Sequence, residues 1–190
     1  MNDESEVWPA REIGLICAAI ALFVDQASKL LLLYGAGFMY MAPRGHIPLL
    51  PFFDLVMVWN PGVSYGLFAA HDDLGRVVLV LLALVAIGGL TLWLWNTTQA
   101  LFAAGLGLVI GGAIGNNLID RLIYGRVADF FHFFGFGHDW YVFNVADVAI
   151  TLGVGAILYD ALMRQPESMA TLAQRRVTAG QWPKKGQGKV

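Results

Sequence analysis

The chain has 190 residues, 57% of them hydrophobic and only 14% charged, with a formal net charge of −2 and a mean hydropathy of +0.61. Soluble domains carry about 25% charged residues, so the composition reads as an integral membrane protein, and without a basic excess it argues against a nucleic-acid partner. The one cysteine, Cys17, lies in an apolar run, which excludes an intramolecular disulfide and marks it as a small core residue.

The first apolar run follows Asp3, Glu4 and Glu6 and lacks a small-residue cleavage site, so it reads as a retained span rather than a signal peptide. Span one is expected over about 13–33, close to the ~20 apolar residues a bilayer demands. Its second half carries Asp25, Gln26, Ser28 and Lys29. Asp25 and Lys29 are four apart and share a helical face, so they can pair, either to orient the helix or to shape a site.

Residues 34–75 form the longest connection, and Pro43, Pro48 and Pro51 argue against a long helix early in it. Phe53–Trp59 reads as a strand, Asn60-Pro61-Gly62 as a turn, and Val63–Phe68 as the returning strand of a small hairpin or sheet in this loop. Asn60 is either a turn residue or a substrate-contacting amide. Span two is expected over about 77–95, with Asp72 and Asp73 as caps and Trp93 and Trp95 as an interfacial belt.

A short connector, Asn96–Gln99, returns span three antiparallel over about 100–119. Gly107, Gly111 and Gly115 recur every four residues and make a face for close helix packing. Asn116, Asn117, Asp120 and Arg121 follow, an amide, carboxylate and guanidinium group suited to supporting a site. The next stretch, Val127–Asp147, organises the chain. It places two carboxylates, Asp129 and Asp147, among aromatic and aliphatic residues. Span four is expected over about 140–163, which puts Asp147 about seven residues into it, or ~10 Å. An ionisable group there costs roughly 2.5–3.5 kcal/mol on insertion scales, so a functional role is the default reading. Asn144 lies three residues before Asp147, on the same face.

The sequence thus predicts an all-α membrane protein of four spans with a small sheet, one membrane-embedded domain over 1–163 and a basic, disordered tail over 164–190. Arg164, Arg175, Arg176, Lys184, Lys185 and Lys189 assign that tail to the cytoplasm. Four spans then place both termini there and both long loops on the opposite side. Asp25, Asn60, Asp120, Asp129, Asn144 and Asp147 all converge on that outer face.

Two carboxylates on one site can hydrolyse an amide without a covalent intermediate. Mutual repulsion keeps one protonated; the ionised one takes a proton from water and the other polarises the scissile carbonyl. No serine or cysteine lies in a nucleophile motif, and no H-E-x-x-H is present. His46, His71, His132 and His138 read as loop histidines rather than metal ligands, and no cofactor is expected. A rival reading is a small transporter or proton channel, which would need an ionisable path across the whole bilayer. A third is a non-catalytic assembly factor docking through the glycine face.

Several stretches resemble signal peptidase II, the bacterial lipoprotein signal peptidase. They are Val24–Lys29, Asn60-Pro61-Gly62, Gly111–Asn116, Asp120-Arg121, Val127–Phe130 and Phe143–Asp147, spread over about residues 13–163. The resemblance implies an intramembrane aspartic peptidase in which Asp129 and Asp147 are catalytic. Asp25, Lys29, Asn60, Gly62, Asp120, Arg121 and Asn144 match positions that shape or support the site. It implies a diacylated prolipoprotein substrate cut just before the lipidated cysteine, contact with membrane lipid and inhibition by globomycin. It also implies residence in the bacterial inner membrane, with the site toward the periplasm. One departure stands out. The family reads G-N-x-x-D-R, whereas Gly115–Arg121 here is one residue longer. Asn117 keeps the spacing to Asp120 and Asn116 keeps the neighbour Gly115. An extra residue turns a regular helix by about 100°, so a local bulge is expected.

Overall fold

The computed structural model describes residues 9–41, 45–62 and 73–163. Among them are four helices long and apolar enough to cross a membrane and one four-stranded antiparallel sheet. Helix α1 covers Ala10–Leu30 and ends in a π-helical turn, Leu31–Gly35. Helix α2 covers Asp73–Asn96, α3 Ala100–Ala113 and α4 Val145–Met163. The expected returning strand Val63–Phe68, the cap Asp72, His71 and the basic tail lie outside the described residues.

Helix α3 is the hub, packed against α1 on one side and α4 on the other. Of its apolar window 56% is buried, against 17%, 6% and 17% for α1, α2 and α4, so those three present their apolar side chains outward, to lipid. The small residues of α3 permit this. Gly107 and Gly111 lie against the backbone of Gly14 and Ala18 in α1. On the opposite face, a Cβ on Gly105 would sit 2.8 Å from the Gly153 carbonyl, and one on Gly112 would sit 2.7 Å from that of Ala146. Backbones in such contact gain dispersion energy that lipid cannot replace. Gly115 differs from the other two of its stripe, because it makes room for the Asp25 carboxylate.

The expected one-residue surplus at the end of span three is accommodated as a π-helical segment, Ile114–Asp120, followed by a last α-turn, Arg121–Ile123. The wider turn absorbs the extra residue without breaking the helix.

The sheet is β1 (His46–Leu50), β2 (Phe53–Asn60), β3 (Val127–Gly135) and β4 (His138–Asp139), in that order. It draws strands from both long connections, so β2 pairs with β1 before it and with β3 some seventy residues later. One face rests on the end of α1 through Leu33, Phe38, Ala128 and Phe130. Phe53, Phe131, Phe133 and Phe143 stack on one another at separations of 4.6 to 6.2 Å between ring centres.

Span four starts later than the sequence suggests. Trp140–Asn144 is not helical: Phe143 donates its N–H to Phe131 at 3.1 Å and accepts the Phe131 N–H at 2.9 Å, extending the sheet by one bridge. The helix begins at Val145, so Asp147 stands in its first turn, not seven residues inside.

Candidate active site

The start of α4 is set by a reciprocal cap. The Asp147 N–H donates to Asn144 Oδ1 at 3.0 Å, and the Asn144 N–H donates back to Asp147 Oδ2 at 3.1 Å. Two of the amides that every helix start leaves unpaired are thereby satisfied. The Ala146 N–H goes to Asp25 Oδ1 of α1, at 2.9 Å. Carboxylates from two helices thus occupy the positive end of α4.

Asp129 comes from β3. Leu55 pairs with Phe131 but Val58 pairs with Asp129, so β2 spends three residues where β3 spends two. This bulge reverses the facing of the β2 residues beyond it, because side chains alternate along a strand. Asn60 is thereby turned to the face of Asp129 and donates Nδ2–H to its Oδ2 at 3.3 Å. Asn144 Nδ2 donates to Asp129 Oδ1 at 2.6 Å. Asn144 is thus bonded to both carboxylates, through its side chain to Asp129 and through its backbone to Asp147. Burial, and next the charge of Asp147, push Asp129 up to about 7.

Behind the pair lies a second charged group. Lys29 Nζ is 2.8 Å from Asp25 Oδ2, 2.8 Å from Asp120 Oδ2 and 2.6 Å from Asn116 Oδ1. Its three protons therefore have three acceptors. Gln26 Nε2 spans the two carboxylates, at 3.0 Å from Asp25 and 3.2 Å from Asp120. Asp120 also accepts the Ala128 N–H at 3.1 Å, which ties α3 to the strand carrying Asp129.

The π-helical segment separates the two asparagines. Asn116 is buried and donates to Asn144 at 3.3 Å and to Asp147 Oδ1 at 3.1 Å, which joins the Lys29 group to the pair. Asn117 instead accepts from Arg121 Nε at 3.3 Å. Arg121 holds the Asn60-Pro61-Gly62 turn by its backbone, with one guanidinium nitrogen 3.2 Å from the Pro61 carbonyl and another on that of Gly62. The Gly62 N–H closes the turn on Asn60 Oδ1 at 3.0 Å.

Asp129 and Asp147 border one cavity of about 230 Å³, lined also by Asn60, Asn116, Arg121 and Ile150. A water takes up about 30 Å³ of the liquid, so the space admits a water and a short length of extended chain. A larger cleft of about 410 Å³ opens on the other side of Asp147, between Trp140, Tyr141 and Phe143 and the Val148 and Leu152 side chains of α4.

The family model of signal peptidase (SPase) II matches residues 17–163. The chain belongs to that family. A lipoprotein signal peptidase of Rhodopseudomonas palustris (strain TIE-1) is 50% identical over 158 residues, covering 81% of this chain and 94% of that protein. One of Methylocella silvestris is 48% identical over 152 residues, covering 80% and 86%. Two solved bacterial membrane enzymes share the fold. One has a TM-score of 0.65 at 21% identity, covering 92% of this chain and 94% of that one. The other has a TM-score of 0.66 at 23% identity, covering 80% and 94%. Signal peptidase II membership makes this a multi-pass membrane protein of the lipoprotein-processing class, and displaces the transporter and assembly-factor readings.

All eleven site positions named from the sequence fall in one hydrogen-bonded group: Asp25, Lys29, Asn60, Gly62, Asn116, Asn117, Asp120, Arg121, Asp129, Asn144 and Asp147. Gln26 belongs with them, although the sequence alone does not single it out as a site residue. Its place beside Asp25 in the Val24–Lys29 stretch is the available signal. Trp140, Tyr141 and Phe143, expected within span four, instead form one wall of the larger cleft.

Proposed function

We propose that the chain is an intramembrane aspartic endopeptidase that removes signal peptides from diacylglyceryl-modified prolipoproteins, cutting before the lipidated cysteine. The observation that carries the proposal is Asn144, bonded to Asp129 and Asp147 at the edge of a cavity both carboxylates line. The pair holds one proton. The ionised carboxylate takes a proton from water as its oxygen attacks the scissile carbonyl, and the protonated one hydrogen-bonds the carbonyl oxygen. Proton return to the amide nitrogen then breaks the C–N bond and restores the pair. Both oxygens of Asp129 already accept from amides, so a proton held there has to point into the cavity, where substrate and Asp147 lie.

Asp25, Lys29, Asp120 and Asn116 are positioning residues, acting through the start of α4 and the strand of Asp129. Asn60, Gly62 and Arg121 form a wall of the cavity on the substrate side. The basic tail supports an orientation with both termini in the cytoplasm and the site at the periplasmic face of the inner membrane. Globomycin, a cyclic peptide, would compete for the same cavity.

The test is cleavage of a diacylated prolipopeptide by purified protein, with and without globomycin. Asp129→Asn and Asp147→Asn should each lower turnover by roughly 10²–10⁴-fold, with folding retained. Near-normal turnover in either folded variant overturns the assignment.

A further inference from the structure

We infer that the end of the sheet farthest from Asp129 is a membrane anchor whose two hairpin tips enter the acyl region of the lipid leaflet beside α4. The first tip, between β1 and β2, carries Leu49, Leu50 and Phe52, each about half exposed. The second, between β3 and β4, carries Phe136, whose side chain is fully exposed. The tips lie side by side, since the Phe134 N–H of the second donates to the Phe52 carbonyl of the first at 3.1 Å; the second hairpin is itself closed by the Trp140 N–H on the Phe133 carbonyl at 2.7 Å.

Phe136 is held at φ +52°, the left-handed region that favours glycine, although glycines flank it on both sides. Nothing in the turn calls for a bulky aromatic there, and no part of the described chain covers the ring. An uncovered patch of this kind marks an interaction surface.

Continuity decides what covers it. Trp140, 66% exposed, leads from the second tip to the cleft it shares with Val148 and Leu152, both exposed on the outward face of α4. His138 and Asp139, both exposed, interrupt the chain between Phe136 and Trp140. The apolar connection runs instead through partly exposed Phe133, which pairs with Phe53 beside the first tip and accepts the Trp140 N–H, and so reaches the surface that the spans present to lipid. A soluble partner would have to approach along a surface already facing the bilayer. Aromatic side chains suit the boundary between headgroups and acyl chains, where an apolar body is accommodated beside a polar edge.

The experiment places one nitroxide label per molecule in a Cys17→Ala background, at Phe136→Cys, Leu50→Cys or, as a lipid reference, Leu152→Cys. Each full-length variant is reconstituted singly into phosphatidylcholine–phosphatidylglycerol nanodiscs, which removes a second copy as an occupant. Collision rates are measured with oxygen, which concentrates in acyl chains, and with a nickel chelate, which stays in water. All three sites are surface side chains, so folding is retained and is checked by circular dichroism. The oxygen-to-nickel ratio at both tips should exceed that of the free label in buffer severalfold and approach the Leu152→Cys value. A ratio at either tip equal to that of the free label overturns the anchor.

Discussion

Asp25, Lys29 and Asp120 are 0%, 2% and 0% exposed, and the Lys29 ammonium lies 2.8 Å from both carboxylates. Asp129 and Asp147, one hydrogen-bonded residue away through Asn116 and Asn144, are bonded to amides instead and border a cavity. In the first group one ammonium is shared by two carboxylates, and the hydrogen bonds from Gln26, Ala128 and Ala146 take up their remaining oxygens, so the group is buried and saturated. The second has no cation bonded to it among the described residues and keeps free lone pairs at the wall of a cavity. Placing them back to back lets the saturated group fix the geometry of the reactive one, since Asp25 holds the Ala146 N–H and Asp120 holds the Ala128 N–H. A rigid support of this kind is what proton transfer to a defined atom requires.

If the two groups have these different roles, they respond differently to mutation. The Asp129→Asn and Asp147→Asn variants should lose activity with little loss of stability. Lys29→Met should do the reverse in order of cause, leaving two unpaired carboxylates inside the bundle. Removing one partner of a buried pair costs about 3–5 kcal/mol, which thermal unfolding in detergent should register as a large drop in Tm. The triple variant Asp25→Asn, Lys29→Met, Asp120→Asn should recover much of that loss. A single variant that melts like the parent would show that the group is not a structural clamp.

A smaller effect is expected at the packing that brings the groups together. Gly107→Ala puts a methyl against the backbone of Gly14 and forces α1 from α3. Overpacking of this sort costs about 1–3 kcal/mol. Gly89→Ala, on α2 with open space around it, should cost nothing measurable and serves as the control. Equal melting temperatures for the two would remove the close approach of α1 and α3 as a cause.

Much of this arrangement is legible in the sequence because a polar side chain in an apolar span is costly and therefore conspicuous. Asp25, Lys29, Asp120 and Asp147 stand out for that reason. The π-helical segment is legible as a single surplus residue between Gly115 and Arg121. The pairing of β2 with β3 is not, because strand partners far apart in sequence leave no local trace. The start of α4 is hidden because Trp140–Phe143 is as apolar as the helix it precedes, and hydropathy does not distinguish an extended aromatic run from a helical one. The Asn144–Asp147 spacing, which fits a shared helical face, belongs in fact to a capping pair, a signal equally present in the sequence.

The smallest expected effect is on the pH dependence of stability. Folding moves Asp129 from an ordinary value of 3.8 up to about 7, through burial and then the charge of Asp147. The folded state therefore keeps a proton that the unfolded chain releases at lower pH. Stability from this source is complete below the unfolded value and is lost as pH rises through about 7. Between pH 6 and pH 8 a single group with that value accounts for about 1.4 kcal/mol. The parent should thus melt at a lower temperature at pH 8 than at pH 6. Asp129→Asn has no carboxyl to deprotonate there, so its melting temperature should change less over the same interval. Because only the slope is compared, the hydrogen bond that Asn at this position loses to Asn60 or Asn144 does not enter. Parallel slopes for parent and variant, measured in one detergent at constant ionic strength, would mean that Asp129 does not take up a proton on folding. The proton-sharing pair would then lose its acid.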